Sequence, residues 1–463
     1  MDNNLMLSAS IRRDIRRTLA LAGPMMIAHG TPMMVSTIDT IMVGRAATDE
    51  LAYLSIGRAL LWIVAVVCFG LISGITVFIA RADVAERQSE CGQFWRQGLI
   101  YAAGLGVVAG AGLALISDPL FHALGLAPAL ADEGADYVKA VAIGFPFMMA
   151  LGASFGFLEG VSKPWPGMII MLSTLPLNIG FNVLLIYGAG PIPAMGATGA
   201  GIGTALSQLS GAIIILVYLN VAKGLERYGV QGIPIRRWLD NWSKGAAMRR
   251  FGIAPGLATG LEFLGFTSLT YYSGLMGVVQ TSAFNVVVSL HFFSLIVCIG
   301  MATASSIRVG NAVGRKDAAG VERAALVATT LGVISITPFA AIYLIDPGLA
   351  VGIYTEDAEV LRLASQLMLI LAPFIFFDAL QFIILFSLRA AGDEVMASIL
   401  QIMSMCGGML VGGWILAFPL GLGSVGLVWS LIVAIVVAAL LLGSRFFVVQ
   451  RRLERTQVFP DIY

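Results

Sequence analysis

Charge is what this chain has least of. Only 12% of its 463 residues are Asp, Glu, Lys or Arg, against about 25% in a soluble domain. The charges nearly balance at +1, which excludes a strongly basic nucleic-acid binder and an acidic tail protein. Histidine is as scarce, with His29, His122 and His291 far apart in sequence. The four cysteines, Cys68, Cys91, Cys298 and Cys406, are scattered, and none pairs in a metal-like spacing. They read as small apolar packing residues.

What is there instead is hydrocarbon. The chain is 58% hydrophobic, and the apolar residues fall in long runs such as 99–116 and 427–442. Runs of that kind span a ~30 Å hydrocarbon core as helices of about 20 residues. A membrane β-barrel would show alternating segments of about 10 residues, and none is visible. Arg12, Arg13, Arg16 and Arg17 precede an apolar stretch that reaches Gly44. That is too long for the core of a signal peptide, and no small-x-small cleavage site follows, so it reads as a first membrane helix.

Twelve spans are expected, near 18–44, 54–80, 97–117, 138–160, 165–188, 196–222, 248–276, 280–309, 320–345, 361–389, 394–418 and 424–448. With the N-terminus inside, all but four of the 28 Lys and Arg residues fall on the inner side, as the positive-inside rule requires. Only Arg45, Arg58, Lys139 and Arg362 fall outside, where the loops are acidic: Asp132, Glu133 and Asp136 in one, Glu356, Asp357 and Glu359 in another. Both termini are therefore expected to be cytoplasmic.

The spans repeat. Ala22-Gly23-Pro24 matches Ile253-Ala254-Pro255, Phe69-Gly70-Leu71 matches Ile299-Gly300-Met301, Pro146-Phe147 matches Pro373-Phe374, and Gly196-x-x-Gly199 matches Gly423-x-x-Gly426. The offset stays between 227 and 231 residues. Six spans per half is an even number, so both halves enter from the same side, giving a parallel repeat. The expected fold is an all-α membrane protein of twelve transmembrane helices in two six-helix lobes. The lobes are residues 1–230 and 248–463, joined by a basic cytoplasmic linker, 231–247. Gly23-Pro24, Gly30 with Pro32, and Pro255-Gly256 mark the first and seventh helices as bending elements.

The chemistry is expected where ionisable groups sit in hydrocarbon. Asp39 in helix 1, Glu262 in helix 7 and Asp378 in helix 10 lie well inside spans. A charge at mid-bilayer costs at least roughly 2.5–3.5 kcal/mol and usually marks an ion or substrate path. A carboxyl removed from water exchanges its proton closer to neutral pH, and an ionised one attracts a cation. By the repeat offsets Asp39 aligns with Thr270, Glu262 with Thr31, and Asp378 with about Leu151. The scaffold is duplicated and the acids are not, which points to function over bracing.

Asn178 and Asn182, four apart on helix 5, share a face and either support Asp39 or join helices. Glu159 reads as a surface partner of Lys163, and His29 and His291 as packed, neutral side chains. Tyr271, Tyr272, Phe374, Phe376 and Phe377 either line a path for flat cations or pack. No phosphate-cradling G-x-x-x-x-G-K-S/T segment and no enzyme signature is present. An ion gradient is therefore the expected energy source.

Ser36-Thr-Ile-Asp39-Thr-Ile-Met-Val-Gly44 resembles the first-helix motif of the multidrug and toxic compound extrusion (MATE) family. Phe377-Asp378-Ala-Leu-Gln381, continuing to Ser387-Leu-Arg389-Ala-Ala-Gly-Asp393, resembles the helix 10 motif of its NorM-like branch. Arg96-Gln97-Gly98-Leu99, Leu177-Asn178-Ile-Gly-Phe-Asn182 and Met195-Gly-Ala-Thr-Gly-Ala-Gly201 extend the resemblance over both halves. It implies an inner-membrane antiporter, not an enzyme, that exports organic cations in exchange for H⁺ or Na⁺. It also implies a protein without a cofactor or nucleic-acid partner, working as a monomer in the bilayer. Asp39 would bind protons in the first lobe, supported by Asn178 and Asn182. Glu262 and Asp378 would line the second-lobe cation site, where Na⁺ is a possible ligand. Tyr271, Phe374 and Gln381 are the candidate substrate-lining residues. Two departures leave the coupling ion open. Phe374 stands where relatives often place a tyrosine, and Ala283-Phe284-Asn285 replaces the usual Ala-His-Gln.

Competing readings are a lipid-linked precursor flippase, a major-facilitator carrier and a membrane enzyme. A flippase would favour a positive cleft lining, whereas the deep charges here are acidic. The major-facilitator inner-loop motif is missing, since that loop reads Arg81-Ala-Asp-Val-Ala-Glu-Arg87. An enzyme would need a metal or catalytic cluster.

Overall fold

The computed structural model describes residues 3–188, 190–234, 238, 240 and 242–460. No described residue is in a β-strand. The basic linker residues Arg236 and Arg237 lie outside the described residues.

Among the described residues, twelve helical segments of spanning length follow one another. The first half comprises α1 (Asn3–Ala46), α2 (Thr48–Ile72) with α3 (Gly74–Val84), α4 (Gln88–Ala123), α5 (Pro128–Ala142) with α6 (Phe145–Gly160), α7 (Pro164–Ile186) and α8 (Gly196–Val221). The second comprises α9 (Ala246–Phe251) with α10 (Ile253–Gly274), α11 (Val278–Gly314), α12 (Ala318–Ile345), and, after the short α13 (Pro347–Val351), α14 (Ala358–Leu371) with α15 (Ile375–Ala390). Then come α16 (Glu394–Gln401) with α17 (Gly413–Ala417), and α18 (Gly423–Thr456). Nine of these segments are long and apolar enough to cross a membrane on length and hydropathy alone, and the bent pair α5–α6 makes a tenth. The remaining two are α1, whose first half carries the arginines, and α10, whose polar residues include Glu262, Thr270 and two tyrosines.

The repeat is visible in packing. In the first half α6 packs on α3, α4 and α8; in the second, α15 packs on α11, α12 and α18. Both central segments begin at a break. The chain turns by 43° between α5 and α6, and a 3₁₀ turn, Ala372–Phe374, separates α14 from α15. Pro146 sits in the first turn of α6 and Pro373 at the start of the 3₁₀ turn, where the missing N–H costs little.

Packing does not divide where connectivity does. One compact unit is Ile27–Gly256; the other begins at Leu257 and takes in the chain up to Met26. By contacts the chain passes from one unit to the other in α1 and in α10. The crossings lie 230 residues apart, the spacing of the repeat itself. Close backbone approach explains them. Within the N-terminal unit a Cβ on Gly70 would meet the backbone of Gly256, and one on Gly252 would meet that of Leu71. Within the C-terminal unit a Cβ on Gly300, the repeat partner of Gly70, would meet the backbone of Met26. Glycine at those points lets one helix lie directly on another.

The eleventh span is not regular. Between α16 and α17 lie two π-helical turns, Ile402–Cys406 and Gly408–Gly412. Wide turns of that kind cluster at functional positions. The Tyr272 hydroxyl donates to the carbonyl of Leu410 at 3.1 Å within this stretch.

Candidate functional site

In the N-terminal unit Asp39 is buried, 4% exposed, on the face of α1 turned to α7 and α8. Asn182 Nδ2 donates to its Oδ1 at 2.6 Å, and the Thr204 hydroxyl donates to its Oδ2 at 3.0 Å. Asn182 Nδ2 also reaches Asn178 Oδ1 at 3.2 Å, and Asn178 Nδ2 reaches Thr204 Oγ1 at 3.3 Å. The expected trio thus comes together, with Thr204 added from α8. Every direct partner is neutral, so the carboxylate is solvated by the protein without being locked to a cation. Gly203 makes room for this: a Cβ there would strike Asn182 Oδ1. Asn182 Oδ1 is buried without a hydrogen-bond partner.

The C-terminal unit holds the other two acids. Glu262, 7% exposed on α10, accepts a hydrogen bond from Gln401 Nε2. Gln401 Oε1 in turn accepts from Arg389 Nη2 at 2.7 Å, and Arg389, at the end of α15, is itself buried. One amide therefore links a buried cation to a buried acid. Asp378, 1% exposed on α15, lies close enough to Glu262 for their charges to repel. His291 Nδ1 stands 3.6 Å from Asp378 Oδ2, beyond hydrogen-bond length. Asp378 Oδ2 and both ring nitrogens of His291 are buried without a hydrogen-bond partner, and the Gln381 side chain lies against Asp378. Unpaired polar atoms are rare in a folded interior, and here they gather around Asp378.

The repeat counterparts of these acids are quiet. Thr31 and Thr270 each return their hydroxyl to a carbonyl of their own helix, Ile27 at 3.0 Å and Phe266 at 3.2 Å. Leu151 is buried.

Three readings change. Glu159 is not a surface partner of Lys163: it is buried, and its Oε1 lies 2.9 Å from His29 Nε2 on α1. Lys163 instead donates to the carbonyl of Gly224 at 3.2 Å, because α6 ends at Gly160 and the chain turns away. His29 accordingly has a carboxylate partner. Among the candidate lining residues, Tyr271 is exposed, Phe374 packs its ring against Phe377 and Trp429, and Gln381 is wholly buried beside Asp378. Cys68, Cys91, Cys298 and Cys406 are free thiols. No group of three His, Cys, Asp or Glu able to hold a metal occurs among the described residues.

A helical membrane fold built twice over, with ionisable groups enclosed in each half, is that of a membrane transporter. The chain belongs to the MatE family, whose model matches it twice, over residues 24–184 and 256–415. It is 30% identical to the probable multidrug resistance protein NorM of Caulobacter vibrioides over 438 residues, 94% of this chain and 92% of that one. It is 29% identical to the protein of the same name from Xanthomonas campestris pv. campestris, over 95% of each chain. Its fold matches the eukaryotic MATE transporter AtDTX14 with a TM-score of 0.86 at 18% identity, over 97% of this chain and 100% of that one. A MOP superfamily transporter from Pyrococcus furiosus matches with the same TM-score at 20% identity, over 95% and 97%.

Proposed function

We propose that this protein is a multidrug efflux antiporter of the cell inner membrane, with both termini cytoplasmic. It exports organic cations and amphipathic drugs in exchange for H⁺ or Na⁺. One observation carries the reading: Asp39, Glu262 and Asp378 are withdrawn from solvent, yet none is in direct contact with a protein cation. A structural acid in hydrocarbon is held by a cation, because an unpaired buried charge is costly. Acids solvated by amides and hydroxyls, with Asp378 Oδ2 left open, keep the capacity to take up and release an ion.

The cycle follows from charge. Ionised carboxylates draw a cationic drug from the inner side, and apolar walls hold its rings. After the lobes rock, H⁺ or Na⁺ enters from outside, neutralises the acids and weakens the drug's hold. The ion-loaded form returns and discharges inside. Coupling requires only that ion and drug not be well bound together. An ion crossing 100 mV supplies about 2.3 kcal/mol per charge, enough for a useful outward drug gradient. The cycle needs no cofactor and one copy of the chain in the bilayer. Relatives named as multidrug resistance proteins over nearly the whole length support the substrate class.

The test is ethidium export in proteoliposomes with a pH gradient and a Na⁺ gradient imposed separately. One of the two should drive export, and ethidium should in turn drive flux of that ion. Export indifferent to both gradients would remove the antiport reading.

A local prediction concerns Gly203. Gly203→Ala should push Asn182 off Asp39 and lower export about tenfold or more, the loss of one hydrogen bond to a charged group of about 1.5–3 kcal/mol. Gly104→Ala, where an added Cβ meets nothing within 4 Å, should leave export unchanged. Equal export by both variants would dissociate Asn182 from the work of Asp39.

A further inference from the structure

Within the N-terminal unit, the chain that follows α8 folds back over the start of α4. Gln97 Nε2 donates to the Asp240 carbonyl at 3.2 Å, and Arg96 Nη1 donates to the carbonyl of Gly229. The Trp95 and Trp238 rings meet with centroids 5.8 Å apart, and the Trp238 indole N–H donates to the Ile233 carbonyl at 3.1 Å. Gly92 permits the approach, since a Cβ there would meet the Tyr228 carbonyl oxygen. Between helix and linker remains a cavity of about 240 Å³, lined by Gln93, Arg96, Ile233, Pro234, Trp238 and Asp240.

The lining has donors to spare. Arg96 is only 8% exposed, yet its partner is a neutral carbonyl, and no acid pairs with it among the described residues. A buried charge without a counter-charge is costly, and most of the five N–H donors of this guanidinium are left over. Gln93 Nε2, on the same wall, is buried without a hydrogen-bond partner. Asp240, the one acid on the lining, is exposed, where water and salt screen its charge. A surplus of donors selects an anion, and the flat edge of a guanidinium matches a planar carboxylate. The rest of the wall, Ile233, Pro234 and Trp238, is apolar, so it suits a ring and not a bare inorganic ion. The volume is below the roughly 300–1,000 Å³ of drug-sized pockets, which leaves room for one ring and not for a multi-ring drug.

We infer that this cavity is a binding site for a small aromatic carboxylate, held by Arg96 and Gln93 and walled by Trp238. The carboxylate takes the free edge of the guanidinium and the amide N–H of Gln93, and the ring lies along Trp238 and Pro234. The site shares no residue with the enclosed acids of either half, and its preference is the reverse of theirs: an anion here, a cation there. It therefore stands whether or not the antiporter reading holds. Its ligand touches both α4 and the linker, so binding fastens one to the other.

The test is isothermal titration calorimetry of the full-length protein in detergent with three probes: benzoate, its neutral isostere benzamide, and inorganic phosphate. Benzoate should bind at one saturable site, at least about tenfold more tightly than either of the others, as a charge-assisted pair requires. Arg96→Gln should remove that binding, but it also cuts the bond to Gly229 that holds the linker. The decision therefore falls on two half-buried positions, Gln93 and Trp238. Gln93→Leu should weaken benzoate about tenfold, the loss of one hydrogen bond to a charged group, and Trp238→Ala should weaken it several-fold. Benzoate bound no more tightly than benzamide by the parent protein, or bound with parental affinity by both of these variants, would overturn the inference. Phosphate bound more tightly than benzoate would overturn it as well, since the aromatic wall would then be idle.

Discussion

Asp39→Asn is expected to abolish gradient-driven export, a fall of at least about tenfold, because an ionisable group enclosed in the membrane is the carrier of the coupling charge. The fold should survive the change. The amide keeps a carbonyl oxygen where Oδ1 accepts from Asn182, and it puts an NH₂ where Oδ2 accepted from Thr204. A threonine hydroxyl can reverse from donor to acceptor, so the network closes again around an uncharged centre. What is lost is the ability to be charged in one half of the cycle and neutral in the other. Asp39→Asn should therefore still bind ethidium with a normal thermal unfolding midpoint. It should no longer accumulate the dye against a gradient, and its residual flux should lose its pH dependence. Asp378→Asn should behave alike in the other lobe. Uphill export at parental levels by both variants would sink the assigned roles.

Much of this was legible beforehand, for identifiable reasons. Spans are read from the continuity of apolar residues, a property of local sequence, and ten of the twelve segments fall where those runs fall. The three acids stood out because charge in hydrocarbon is rare, and all three are buried. The helix 5 pair Asn178 and Asn182 followed from a spacing of four on one helix. Partners from other helices were not legible. Thr204 sits in a glycine-rich stretch with no polar pattern, and only the fold brings it 3.0 Å from an acid 165 residues away. Gln401 and Arg389 carried no mark as partners of Glu262. Glu159 was assigned to its neighbour in sequence, while its partner His29 lies 130 residues away. Connectivity suggests a boundary in the linker, whereas backbone approach at Gly70 and Gly300 hands the ends of α1 and α10 to the opposite unit.

The largest effect on stability is expected at Arg389. Arg389→Met should cost about 1–3 kcal/mol, the usual penalty for leaving a buried hydrogen-bonding group without its partner. The physical chain is short. Arg389 donates to Gln401, Gln401 donates to Glu262, and Asp378 lies close by. Without the guanidinium, Gln401 Oε1 loses its donor, and Glu262 is left with no cation linked to it. Glu262→Gln in the same molecule removes that acid, so it should return part of the loss. A coupling of about 1–3 kcal/mol between the two substitutions is expected for residues in one network. Thermal unfolding of the four proteins of this double-mutant cycle in detergent measures it. Additive losses would mean that Arg389 braces α15 through packing alone, with Gln401 transmitting nothing to Glu262. A recovered double variant that is stable but cannot accumulate drug would show that Glu262 is needed for coupling and not for the fold.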